Sequence, residues 1–114
     1  MRKLIKVFKA LSDTNRLRIL KMLEIRSLCV CEITDVLQLA TSTVSKHLSL
    51  LRDAELILDS KDGKWVNYTL NLSGQNSYVS SLLPLIRKWL PDNKVVLEDA
   101  RKVQNVDRLH LCHG

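Results

Sequence analysis

Two cysteines one residue apart, in "SLCVCEI" (residues 27–33), are the residues of this chain whose type and spacing first suggest chemistry. Cys29 and Cys31 have one further thiol to work with, Cys112, in a tail that also holds His110 and His113. Thiolates are soft ligands that select soft ions, whereas imidazoles are borderline ligands suited to zinc or cadmium. Four groups drawn from Cys29, Cys31, Cys112 and one histidine would satisfy tetrahedral zinc. Two rival roles need no ion. Cysteine is among the most often buried side chains and packs as a small apolar group, and a Cys29–Cys31 disulfide would close over a single residue under strain. On a regular helix two residues advance by about 200°, so the pair would point to opposite faces. An ion held by both sulfurs would then have to unwind the turn that carries them.

A second set of residues lies in "TSTVSKHLSLLRDAE". Val44, Leu48 and Leu51 form a narrow apolar stripe, and the opposite face carries Ser42, Thr43, Ser45, Lys46, His47 and Arg52, all short to medium donors or cations. Ser and Thr can address several bases, and Lys can address guanine or phosphate. Farther on, Lys61 and Lys64 flank Asp62-Gly63, a hairpin turn signal, and would meet phosphate. No nucleophile–base–orienter set, phosphate-binding glycine loop or HExxH pattern is present, so no enzyme is expected.

These residues need elements to hold them. The composition is 46% apolar and 4% aromatic with three glycines and two prolines, which favours helices over a sandwich or barrel. Net charge is +6, and the eight Lys or Arg against two acids within residues 1–26 fit a polyanion partner. An odd cysteine count, with no signal peptide and no membrane-spanning apolar run, points to a reducing cytoplasm without a disulfide framework. Leu4, Ile5, Phe8 and Leu11 recur as the stripe of a first helix. Ser12-Asp13 offers a cap for a second helix, through Leu17, Leu20 and Leu23 to Arg26. Ile33, Val36 and Leu37 mark a short third helix, and the polar-faced helix after it completes a helix-turn-helix pattern, whose second helix sits in the major groove. Leu56–Leu58 and Trp65–Leu70 form the strands of a wing. Val79, Leu82, Leu83, Ile86, Trp89 and Leu90 make a broad stripe suited to a dimer surface or to covering the first helix, and Asp92 can cap a final helix. The expected layout is a single domain over 1–114: N-terminal helices 1–26, helix-turn-helix 30–54, wing 56–71, C-terminal dimerisation helices 77–106 and tail 107–114.

From "FKALSDTNRLRILKMLE" through "LCVCEITDVLQLATSTVSKHLSLLRDAELI" to "DGKWVNYTL" the chain resembles the ArsR/SmtB-type winged-helix transcriptional repressors, specifically their arsenic-responsive branch. The resemblance implies a mainly α fold with a small β-hairpin, a winged helix-turn-helix homodimer on operator DNA, and release by an inducer. "LCVCEI" looks like the family's thiolate box and "STVSKHLSLL" like its recognition helix. The implied inducer is trivalent arsenic or antimony held by Cys29, Cys31 and, as third sulfur, Cys112 or a solvent thiol. A divalent soft ion (zinc, cadmium or lead) using the same cysteines with tail histidines is the alternative, as is a DNA binder with structural cysteines. Two departures stand out: Thr34 occupies the place of a frequent third cysteine, and Glu55 that of a usual glycine after the recognition helix. Residues 77–90 contain no Asp or His, which disfavours a zinc site there.

Overall fold

The computed structural model describes residues 1–107. The elements run α1 (Arg2–Leu11), α2 (Thr14–Leu23), β1 (Leu28–Cys29), α3 (Val30–Leu37), α4 (Thr41–Asp53), β2 (Ile57–Asp62), β3 (Trp65–Leu70), α5 (Ser77–Lys88) and α6 (Lys94–Asn105). The three strands form one antiparallel sheet in the order β1-β3-β2. Together α3, α4 and the β2–β3 hairpin make a winged helix-turn-helix. None of the described helices is long and apolar enough to cross a membrane.

Local chemistry sets the boundaries. The Asp13 carboxylate accepts the N–H groups of Asn15 at 2.8 Å and Arg16 at 3.1 Å, and so starts α2. Burial works against ionisation of Asp13, but the N–H groups of Arg16 and Asn15 outweigh it and hold the carboxyl below its usual range. Asn76 caps α5 in the same manner, and Asn93, not the expected Asp92, caps α6. After α4 the N–H of Glu55 donates to Arg52 O at 2.9 Å and that of Leu56 to Leu51 O at 3.0 Å, the paired bonds of a Schellman end. This closure holds its C′ residue in the left-handed region, so Glu55, standing where the resemblance led to glycine, lies at φ 64°.

The hairpin pairs Ile57 with Leu70 and Asp62 with Trp65, so its turn residues are Gly63 and Lys64, one position beyond the expected Asp62-Gly63. Gly63 lies at φ +61°, the conformation that a two-residue hairpin loop asks of its first residue.

The core gathers Ile19, Leu20 and Met22 of α2 with Ile33, Leu48, Leu51 and Ile57. In α1 the side turned inward is Val7 and Ala10, while Ile5 is 43% and Phe8 51% exposed. The helix was expected, but its apolar stripe faces partly outward, because this helix is apolar on two sides and the chain covers only one. Two cations fasten the C-terminal helices to α2. Arg18 forms a bidentate pair with Asp99 of α6 at 2.8 and 2.9 Å. Lys21 is buried with Glu24 at 2.9 Å and donates to the Ile86 carbonyl, near the end of α5, at 3.0 Å.

Candidate functional site

Cys29 is not on a helix. Leu28 pairs with Tyr68 and Cys29 with Asn67, so β3 draws both into extended backbone, and Cys29 becomes the N-cap of α3 at φ −89°, ψ 168°. This corrects the expectation that Cys29 and Cys31 diverge by a regular helical angle, since only Cys31 lies within the first turn. At the cap, the Cys29 sulfur accepts the Glu32 N–H while the Glu32 carboxylate accepts the Cys29 N–H at 3.0 Å. That reciprocal pair is a capping box with sulfur in place of the usual hydroxyl. Cys29 is 1% exposed. Burial pushes its thiol pKa up and the Glu32 charge adds to this, while the N–H bonds from Glu32 and Cys31 pull the other way.

Cys29 is a free thiol, whereas Cys31, half-buried, is disulfide-bonded, against the expectation of reduced cysteines. Ligation by Cys31 therefore requires reduction first. Thr34 sits one turn beyond Cys31 on the same face of α3, and its buried hydroxyl oxygen has no hydrogen-bond partner among the described residues. Cys112, His110 and His113 lie outside the described residues. Among the described ones no three ligating side chains cluster as a metal site.

The box is wired to distant parts of the chain through Glu32, which is 4% exposed. Its second carboxylate oxygen accepts from Arg26 Nη2 at 3.0 Å, and the same nitrogen donates to the carbonyls of Val103 at 3.0 Å and Val106 at 3.1 Å. Arg26 and Glu32 were not among the residues expected at the site. Glu32 had a legible signal, standing three residues after the cap; Arg26 had none, because its partners on α6 lie 77 and 80 positions away.

The second helix of the helix-turn-helix buries Val44, Leu48 and Leu51 and leaves Ser42, Thr43, Ser45 and Lys46 exposed, as their spacing predicted. His47 behaves differently. It is half-buried, and Arg16 Nη1 lies 3.2 Å from its Nδ1. A guanidinium only donates, so Nδ1 accepts and the ring hydrogen sits on Nε2. Arg16 also donates to Ala10 O at 2.8 Å and Lys9 O at 3.1 Å, which joins the end of α1 to α4. Arg52, expected on the reading face, instead pairs with Asp59 of β2 at 2.9 Å and braces the wing against α4. At the wing tip Lys61 and Lys64 are exposed, and the Lys64 ammonium stands 4.8 Å from the Trp65 ring centroid.

The family model for "Bacterial regulatory protein, arsR family" matches residues 13–58. The chain is 46% identical over 68 residues to the arsenical resistance operon repressor of Escherichia coli (strain K12), across 59% of this chain but only 58% of that relative. It is 37% identical over 106 residues to the arsenic resistance transcriptional regulator ArsR2 of Pseudomonas putida, covering 87% of this chain and 91% of the relative. Among solved structures, the cadmium metal-sensor CMTR of Mycobacterium tuberculosis superposes with TM-score 0.58 at 28% identity, over 77% of this chain and 84% of that one.

Proposed function

We propose the following for this chain, which belongs to the arsR family of bacterial regulatory proteins. It is a cytoplasmic, homodimeric repressor that holds operator DNA through α4 and the wing and releases it when trivalent arsenic or antimony binds its cysteine thiolates. One observation carries this reading: the thiol box and the reading helix belong to one unit, since Cys29 caps α3 and α3 packs on α4. Similarity to two arsenic-named regulators supports the choice of ion.

Ligation is a condensation. Each thiol replaces one hydroxide of arsenous acid and one water leaves, so arsenic stays trivalent and nothing is oxidised or reduced. Cys29, and Cys31 once a small-molecule thiol has reduced its disulfide by exchange, supply two sulfurs, with Cys112 or a further small-molecule thiol as the third. To share one ion with Cys31, the buried Cys29 sulfur is drawn out of its cap position, and the first turn of α3 loses its cap. Ion and operator thus favour different states of the same segment. A coupling of about 1–3 kcal/mol weakens DNA binding by about 5- to 150-fold.

Ser42, Thr43, Ser45 and Lys46 are assigned to the major groove, Lys61 and Lys64 to phosphates, and His47 to a backbone contact through Nε2. The dimer surface is assigned to the exposed side of α1 and α5, with Ile5, Phe8, Tyr78, Leu85 and Trp89 all more than 40% exposed. A divalent soft ion is the second reading, favoured by the likeness to a cadmium sensor.

The test is operator binding by the reduced protein with and without arsenite, while sulfur–arsenic charge-transfer absorption is followed. Absorption together with DNA release is expected. Absorption with undiminished DNA binding overturns the repressor mechanism, and no absorption overturns the choice of ion.

A further inference from the structure

We propose that Arg26 is the positioning residue through which ligation at Cys29 reaches the C-terminal helix, so that the ion loosens the end of α6 as well as the start of α3. The inference rests on the thiol-box reading above and adds to it a second place where binding is felt.

The Glu32 carboxylate is a junction. One oxygen holds the Cys29 N–H at 3.0 Å and the other holds Arg26 Nη2 at 3.0 Å. On its far side Arg26 closes α6: Val103 lies in the last turn, Val106 is the C-cap residue, and both carbonyls accept from the same nitrogen. The final carbonyls of a helix lack intrahelical partners and carry its negative end, so a guanidinium there satisfies both needs. A polar cavity of about 380 Å³ adjoins the junction, lined by Arg26, Ser27, Glu32, Asn67, Val106 and Asp107. The Arg26 side chain thus has room to leave. When Cys29 leaves the cap, its N–H leaves Glu32, the carboxylate is freed to turn, and Arg26 has to choose between carboxylate and carbonyls.

The response has a boundary. Arg18 and Asp99 pin the middle of α6 to α2 without involving the box. Loosening therefore stops at the last turn, residues 102–106, and does not melt the helix.

Hydrogen exchange of the full reduced chain, with and without arsenite, reads this directly. Arsenite is expected to speed exchange at 102–106 by about fivefold or more while amides around Asp99 stay unchanged. In Arg26→Gln the same last turn exchanges fast from the outset, and arsenite adds nothing. Wild-type protein that shows sulfur–arsenic absorption but unchanged exchange at 102–106 overturns the role of Arg26 and leaves the thiol-box reading standing. An Arg26→Gln protein that keeps the wild-type arsenite response at 102–106 does the same. Absence of the absorption altogether overturns the thiol-box reading, and this inference with it. A melting curve of Arg26→Gln separates local fraying from unfolding, and the wild-type comparison stands without the variant.

Discussion

Cys29 and Glu32 hold each other twice, Cys29 N–H to Glu32 Oε1 at 3.0 Å and Glu32 N–H to the Cys29 sulfur. A residue expected to bind an ion is thus also the cap of the helix that packs on α4. This double duty separates two losses that a substitution would otherwise merge. In Cys29→Ser the hydroxyl remains a good helix cap, and the melting midpoint should stay close to wild type, since cap replacements that lose the acceptor cost about 0.5–2 kcal/mol and serine retains it. Arsenite should no longer release DNA. A Cys29→Ser protein that still lets go of operator on arsenite addition rules out this cysteine as a ligand.

Proton stoichiometry distinguishes the two candidate ion classes. The Cys29 thiol is pushed above its ordinary range by burial, so it is protonated at neutral pH. A divalent ion must displace that proton, and its apparent affinity should rise with pH by about tenfold per unit for each thiol bound. Arsenous acid takes the proton away as water, so its affinity should be nearly flat between pH 6 and 8. Titrations of the reduced protein with cadmium and with arsenite across that window check both slopes.

Thr34 stands on the Cys31 face of α3 with an unsatisfied buried oxygen. Thr34→Cys removes that orphan and adds a sulfur one turn from Cys31, so arsenite should bind about tenfold more tightly, equivalent to about 1.4 kcal/mol. Competition with a dithiol chelator measures the change. Equal affinity in the variant would mean that the α3 face does not reach the ion.

Glu55→Gly should stabilise the fold by about 1 kcal/mol, because Glu55 holds a left-handed C′ position that suits glycine. The melting midpoint should rise by about 3–8 °C, and an unchanged or lower midpoint would show that the Glu55 side chain compensates for its backbone.

Lys61→Ala and Lys64→Ala should each weaken operator binding and reduce the dependence of log affinity on log salt by about one unit or less. Lys46→Ala, assigned to a base edge, should instead cost about 1–3 kcal/mol and relax preference at one operator position. Fluorescence anisotropy at several salt concentrations separates the two patterns.

Helix α4 and its exposed polar face were legible in the sequence because Val44, Leu48 and Leu51 leave a polar face that only one orientation can expose. The thiol pair was legible by composition, and the wing by Gly63 between two strand-like runs. What escaped was long-range. A two-residue strand such as Leu28–Cys29 has no alternation to detect, and only its pairing with Tyr68 and Asn67 makes it a strand. The Arg18–Asp99 and Arg26–Val103 contacts join residues 81 and 77 positions apart, beyond any local pattern. The direction of α1 escaped for another reason: Val7 and Phe8 are both apolar, and hydrophobicity alone does not say which faces the core and which lies exposed.

Strand β3 has a neighbour on each edge, the thiol box through β1 and the outer wing strand through β2, with Asn67 facing Cys29 on one side and Ser60 on the other. The sheet is therefore a ribbon with Cys29 on one margin and the exposed Lys61 and Lys64 at its tip. From Trp65, the first residue of β3, to Asn67 is two steps of extended chain, about 7 Å. On the proposed reading, a duplex that twists the tip acts on the same strand that pairs with Cys29, a path that does not run through the helices.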